Sequence, residues 1–156
     1  MIRRAVKEDI PQIENLLYQI QKIHSDKRPG IFREGQKKYT AEELEMLLYD
    51  ENRPIFVHEG KKNAIDGYVF CIYKITKDHK SLCDRKVIYI DDLCVDENNR
   101  GNYIGTKLYK YVVALAEEND FDSIVLNVWN GNEDAMRFYR SCGMKPLKTM
   151  LEQKLK

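Results

Sequence analysis

A chain of 156 residues, 43% hydrophobic and 33% charged, can bury the core of one domain and still keep a well-solvated surface. Its 26 basic and 25 acidic residues leave a net charge of +1, which gives no support to a nucleic-acid-binding face. No apolar run approaches the roughly 18 residues of a membrane span, and no apolar h-region follows the basic start MIRRAVKEDI, so neither membrane insertion nor a signal peptide is expected.

In chain order, Ile2 to Ala5 predicts a short strand. Asp9, with Gln12 three residues later and Pro11 in the first turn, has the pattern of a capping box. Ile10, Ile13, Leu16, Leu17, Ile20 and Ile23 then follow at helical stripe spacing, ending near HSDKRPG. Thr40 and Glu43 predict a second capping box ahead of a shorter stripe, Leu44, Leu47 and Leu48. Pro54 to Glu59 and Ile65 to Ile75 are rich in β-branched and aromatic residues and predict two strands, the second leading into a charged turn, TKDHKSLCDRK. Val87 to Val95 is apolar at both parities, as a strand covered on both faces is. A loop precedes a helix with Ile104, Leu108, Val112 and Leu115 in register. Phe121 to Trp129 predicts a further strand, and Asn132 is placed to cap a short helix that Gly143 ends. The tail KTMLEQKL can form a last strand.

No repeat, low-complexity tract or linker divides the chain, so residues 1–156 read as one α/β domain. Strand, helix, strand from Val87 to Trp129 implies a parallel central pair with a right-handed crossover, in a mixed sheet with helices on both faces. Cys71, Cys83, Cys94 and Cys142 form no C-x-x-C pair, and with three histidines no metal site is expected. The cysteines read as thiols of a reducing, cytoplasmic setting.

The stretch ENNRGNYIGTKLY carries two glycines beside an arginine at a helix start, where free backbone N–H groups favour anions. It is not a P-loop, since three residues rather than four separate Gly101 and Gly105 and Leu108 follows Lys107; G-x-G-x-x-G is absent too. Arg100 adds positive charge and Thr106 a hydroxyl donor; on residue types alone, an ordinary turn with Gly101 at positive φ is equally open.

The segment YIDDLCVDENNRGNYIG resembles the acetyl-CoA-binding core of the GCN5-related N-acetyltransferases, the GNAT superfamily. Arg100 and Gly105 match the first and last positions of its R/Q-x-x-G-x-G/A motif, whereas Tyr103 replaces the middle glycine. NVWNGNEDAMRFYRSCGM is similar to the later N-x-x-A-x-x-x-Y motif followed by a Gly-hydrophobic pair, through Asn132, Ala135, Tyr139, Gly143 and Met144. The resemblance implies a GNAT fold for the whole chain and acetyl-CoA as co-substrate, with pantetheine along Leu93, Cys94 and Val95. It places the pyrophosphate over Arg100, Gly101, Asn102, Tyr103, Ile104, Gly105 and Thr106, with Asn132 and Ala135 beside the pantetheine arm. It implies N-acetyl transfer to an amine of a small molecule or peptide, in a ternary complex.

Such chemistry needs a base for an amine of pKa near 10, a donor for the developing oxyanion and an acid for the leaving thiolate. A backbone N–H near Leu93 or Cys94 suits the second need, and Tyr139 is the family-matched acid. Asp91, with Asp92 second, is expected as the base, directly or through water. Adjacent strand residues point to opposite faces, so one carboxylate at most faces the site unless a bulge rotates the pair. Tyr103 is expected to keep right-handed helical geometry and turn its ring aside. A non-catalytic acyl-CoA-binding module on the same fold is the alternative reading. The acceptor is not legible: Asp26, Arg28, Arg33 and Glu34 name no substrate, and His24 reads as a solvated helix-end residue rather than a base. The resemblance also allows a homodimer, without a diagnostic apolar patch.

Overall fold

The computed structural model describes residues 1–156, which divide into two compact units, Met1–Leu126 and Asn127–Lys156. The first unit holds β1 (Ile2–Arg4), α1 (Ile10–Lys27), α2 (Ala41–Leu47), β2 (Ile55–Glu59), β3 (Ile65–Thr76), β4 (Arg85–Val95), α3 (Ile104–Glu118) and β5 (Ser123–Val125). The second holds α4 (Glu133–Ser141). The five strands form one sheet in sequential order; β1 to β4 are antiparallel and β4 pairs in parallel with β5. This is the mixed α/β sheet with a parallel pair that the sequence predicts.

The stripe of α1 does the work its spacing implies: Ile10, Ile13, Leu16 and Leu17 are all buried. They join Leu44 and Leu47 of α2 and Ile55, Val57, Ile65, Tyr68, Phe70 and Cys94 of the sheet in one core. The other face receives α3 through Ile104, Leu108 and Val112, all buried. Gly67 makes that approach possible, because a Cβ there would lie 3.0 Å from Ile104 Cγ2 and 3.1 Å from Leu108 Cδ1.

Three expectations are corrected. Asp9 does not cap α1 through a side-chain bond; its carboxylate accepts from Val6 N–H at 2.9 Å and pairs with Arg3 at 2.7 Å. Burial would raise the Asp9 carboxyl, but the Arg3 guanidinium and the Val6 amide hold it below its ordinary value. Gln12, freed from capping, accepts from Ile65 N–H at 2.8 Å and ties α1 to β3. The strand expected over 121–129 is only Ser123–Val125, because the parallel ladder stops at Tyr89 opposite Val125. The tail forms no strand: no ladder includes residues 144–156, and Leu147, Met150, Leu151 and Leu155 are exposed. A favourable side-chain pattern does not make a strand where no edge receives its hydrogen bonds.

Two helix caps follow the sequence reading. Thr40 accepts from Glu43 N–H at 3.1 Å at the start of α2, and Asn132 from Ala135 N–H at 3.3 Å at the start of α4. Gly143, at φ 96°, ends α4 in a left-handed turn. There Gly143 N–H donates to Arg140 O and Met144 N–H to Tyr139 O, so the last carbonyls of α4 are satisfied.

Candidate active site

The register of β3 against β4 slips by one residue in the middle of the sheet. Phe70 opposes Asp92 and Cys71 opposes Ile90, leaving Asp91 without a partner. One extra residue in a strand is a β-bulge, which interrupts the alternation of side chains. Its effect is to bring both carboxylates to the α1–α2 face. Asp92 accepts a 2.9 Å bond from the Tyr68 hydroxyl, and Asp91 accepts a 2.7 Å bond from the Tyr39 hydroxyl. Tyr39 stacks on Phe70 at 5.4 Å, and Tyr68 meets Phe70 edge-on at 4.8 Å, so one row of rings carries both donors.

The two carboxylates differ in their surroundings. Asp91 is neutralised: Lys38 Nζ lies 3.0 Å from its Oδ1, and Arg53 in turn donates to the Tyr39 hydroxyl at 3.2 Å. Asp92 has no ion-pair partner, and burial pushes its carboxyl up to about 6, against the pull of the Tyr68 hydroxyl and the more distant Lys38. A group tuned to that range can take and return a proton near neutral pH. Burial, with the Asp92 and Asp91 carboxylates beside them, holds the Tyr68 and Tyr39 phenols well above their ordinary value, so both remain donors.

The parallel ladder ends at Tyr89 and Val125, so β5 leaves the edge of β4 from Ile90 to Val95 unpaired. Leu93, Cys94 and Val95 lie on that stretch, with their other edge held by Val69, Tyr68 and Gly67 of β3. Past β4, Gly101 adopts φ 86° and the chain enters α3 at Tyr103. Tyr103 does not keep right-handed helical geometry: it sits at φ 59°, ψ 20°, left-handed, because the entry turn needs that conformation at the N-cap. The residue as a whole is 76% exposed. No side chain caps α3, and Lys107 N–H, bonded to Tyr103 O at 2.9 Å, is the first satisfied in the helical manner. The N–H groups of Ile104, Gly105 and Thr106 therefore remain directed out of the helix end, with the exposed Arg100 four residues before Ile104.

The acetyltransferase (GNAT) family model matches residues 17–144. The chain belongs to that GNAT family. Its fold is shared by a tetramutant of the BH1408 protein from Bacillus halodurans, at 30% identity and TM-score 0.95, with 99% of each chain covered. An aminoglycoside acetyltransferase, meta-AAC0020, from an uncultured soil metagenomic sample in complex with sisomicin shares the fold at 23% identity and TM-score 0.69, covering 100% of this chain and 96% of that one. The aminoglycoside N-acetyltransferase AAC(6')-Iy in complex with CoA does so at 11% identity and TM-score 0.72, covering 100% and 99%. No curated protein matches.

In this GNAT chain the later motif lies wholly in the second unit. Asn132 spends its side-chain oxygen on the cap of α4, leaving its amide N–H group as the polar handle. Tyr139 is half-buried in the last turn of α4, its ring edge-on to Phe138 at 5.0 Å, and Ala135 is half-buried one turn earlier. Cys94 is buried and pushed up to about 12 by that burial, which makes it a poor nucleophile; Cys71 is held at a similar value for the same reason. His24 is half-buried and stacked on Phe32 at 4.7 Å, with burial and then Lys38 lowering its pKa. Tyr73 packs against Phe121 with ring centroids 4.9 Å apart.

Sequence reasoning missed Lys38, Tyr39 and Arg53. They lie in or after the loop between α1 and α2, whose composition names no role. The one available signal was KKYT, an aromatic and two lysines set directly before a helix cap. No helix of the chain is long and apolar enough to cross a membrane.

Proposed function

We propose that this GNAT protein transfers an acetyl group from acetyl-CoA to a primary amine of a small molecule or peptide by direct attack in a ternary complex. The observation that carries the reading is the half-buried Asp92, bonded to the Tyr68 hydroxyl and raised to about 6 on the bulge of β4, beside the edge that β5 leaves unpaired. The residues present suit the co-substrate. An uncapped helix end with Arg100 before it suits a pyrophosphate, and the unpaired stretch Leu93–Val95 suits the amide groups of pantetheine. When bound, acetyl-CoA supplies a thioester carbonyl open to attack.

The chain's own groups then divide the work. Asp92 takes the proton of the acceptor ammonium, directly or through a water. The sequence favours Asp91 for this task, but its carboxylate is already engaged by Lys38 and Tyr39, and the electrostatics favour Asp92. Asp91 instead positions the loop before α2. A backbone N–H at Leu93 or Cys94 holds the carbonyl oxygen as charge develops, and Tyr139 returns a proton to the leaving sulfur.

The test is a screen of polyamines, aminoglycosides, amino acids, N-terminal peptides and lysine peptides for amine-dependent release of CoA. With an active acceptor, Asp92→Asn should lower kcat by at least a hundredfold and Asp91→Asn by much less. Tyr139→Phe should lower kcat far more than it weakens CoA binding. Calorimetric CoA binding with no turnover across the panel would overturn the enzymatic reading in favour of an acyl-CoA-binding module.

A further inference from the structure

The amine held closest to the carboxylate pair belongs to the protein itself. Lys38 Nζ lies 3.0 Å from Asp91 Oδ1 and donates to Asp91 O at 3.4 Å, at the bulge that carries Asp92. Its influence reaches further, since its charge also lowers Asp92 and His24. Lys38 stands in irregular chain before α2, and its side chain is 41% exposed, so the ion pair is a partly solvated one of modest strength that can open. The adjacent lysine is turned elsewhere: Lys37 Nζ is taken by Glu14 at 3.0 Å and by the Tyr18 hydroxyl at 3.1 Å.

We propose that Lys38 is a self-acetylation site, modified within its own molecule from acetyl-CoA. The inference rests on the function proposed above, because it needs the thioester beside Asp92. The step balances as follows. Lys38 Nζ gives up one ammonium proton, with Asp92 as the receiving carboxylate, and attacks the thioester carbonyl carbon. The N–C bond forms and the C–S bond breaks. A second proton leaves nitrogen; of the two, one ends on the CoA sulfur and the other in solvent. Tethering replaces a bimolecular encounter, so Lys38 gains a proximity advantage over every lysine remote from the site. The product is uncharged, which releases Asp91 from its ion pair and opens it to a cationic group of an acceptor.

The full chain would be incubated with acetyl-CoA without acceptor, and peptide mass spectrometry would follow Lys38, Lys37 and the exposed Lys7. Acetylation of Lys38 on the order of tenfold faster than of Lys37 or Lys7, at a rate independent of protein concentration and suppressed by excess CoA, is the expected result. A second readout does not require acyl transfer: S-bromoacetyl-CoA, which alkylates an amine with loss of bromide, should label Lys38, and Lys38→Arg should lose that label. If calorimetry shows acetyl-CoA binding while Lys38 is modified no faster than Lys7 and escapes the bromoacetyl label, this inference falls and the proposed function stands. If acetyl-CoA does not bind, both fall.

Discussion

Replacing Asp92 by asparagine should make the protein more stable at neutral pH while removing its base. Burial holds the Asp92 carboxyl at about 6 instead of 3.8. A shift of roughly two units corresponds to about 3 kcal/mol of differential interaction. The sign follows from proton counting. Between about pH 4 and pH 6 the folded chain keeps a proton that the unfolded chain has released, so stability falls as pH rises through this window. The cost is absent well below pH 4 and fully present above 6. Asparagine carries no charge and can still accept from the Tyr68 hydroxyl, although its amide N–H group needs a partner of its own. A net gain of about 1–3 kcal/mol at pH 8 is therefore expected, larger by roughly 1 kcal/mol than the gain at pH 5. Urea unfolding of both proteins at the two pH values measures it, with an unchanged m-value as the check that only stability has moved. A variant destabilised equally at both pH values would refute the claim that Asp92 is held ionised at a cost.

Tyr68→Phe removes the hydroxyl that favours the Asp92 carboxylate, so the acidic limb of kcat/KM should move from near 6 upward by about one unit; an unmoved limb would take Asp92 out of the base role. Tyr103→Gly should raise stability by about 1 kcal/mol, since glycine accepts the left-handed φ of 59° without penalty. CoA affinity should change less than tenfold in that variant, and a hundredfold tightening would mean that the exposed ring obstructs the site. Gly67→Ala should cost about 1–3 kcal/mol in thermal unfolding, because the added Cβ meets Ile104, Leu108 and the Cys94 carbonyl; an unchanged Tm would refute the close approach of α3.

The elements legible in the sequence were those whose side chains repeat. The stripe of α1, the caps at Thr40 and Asn132 and the apolar run of β4 each follow from local pattern, and local physics decides them. What was illegible depends on partners distant in sequence. Asp9 and Gln12 have the composition of a capping box, yet Arg3 and the Ile65 amide outcompete the helix end for them. The tail reads as a possible strand, but a strand exists only through pairing, and no ladder includes it. Tyr103 was read from the helix it precedes, whereas the turn it completes sets its backbone. In the site, the two carboxylates could be found by resemblance. Their division of labour could not, because it is set by Lys38 and Tyr39, more than fifty residues earlier in the chain.

The unpaired residue in β4 also constrains how this sequence can change. On one side of Asp91, Asp92 and Cys94 share the α1–α2 face with Phe70 and Tyr68; on the other, Ile90 opposes Cys71, one step out of phase. The two halves of the strand thus keep opposite parities, and Asp91 is the spacer between them. Exchanging its side chain leaves that phase intact. Deleting the residue would set Ile90 directly before Asp92, opposite the consecutive Cys71 and Phe70, so the ladder would become regular, every other β4 side chain would keep its face, and only the Asp91 carboxylate would leave the α1–α2 layer. Position 91 is therefore the one place inside β4 where the sheet can lose a residue without losing its phase, whereas a one-residue deletion among the paired residues on either side would turn part of the strand to the wrong face.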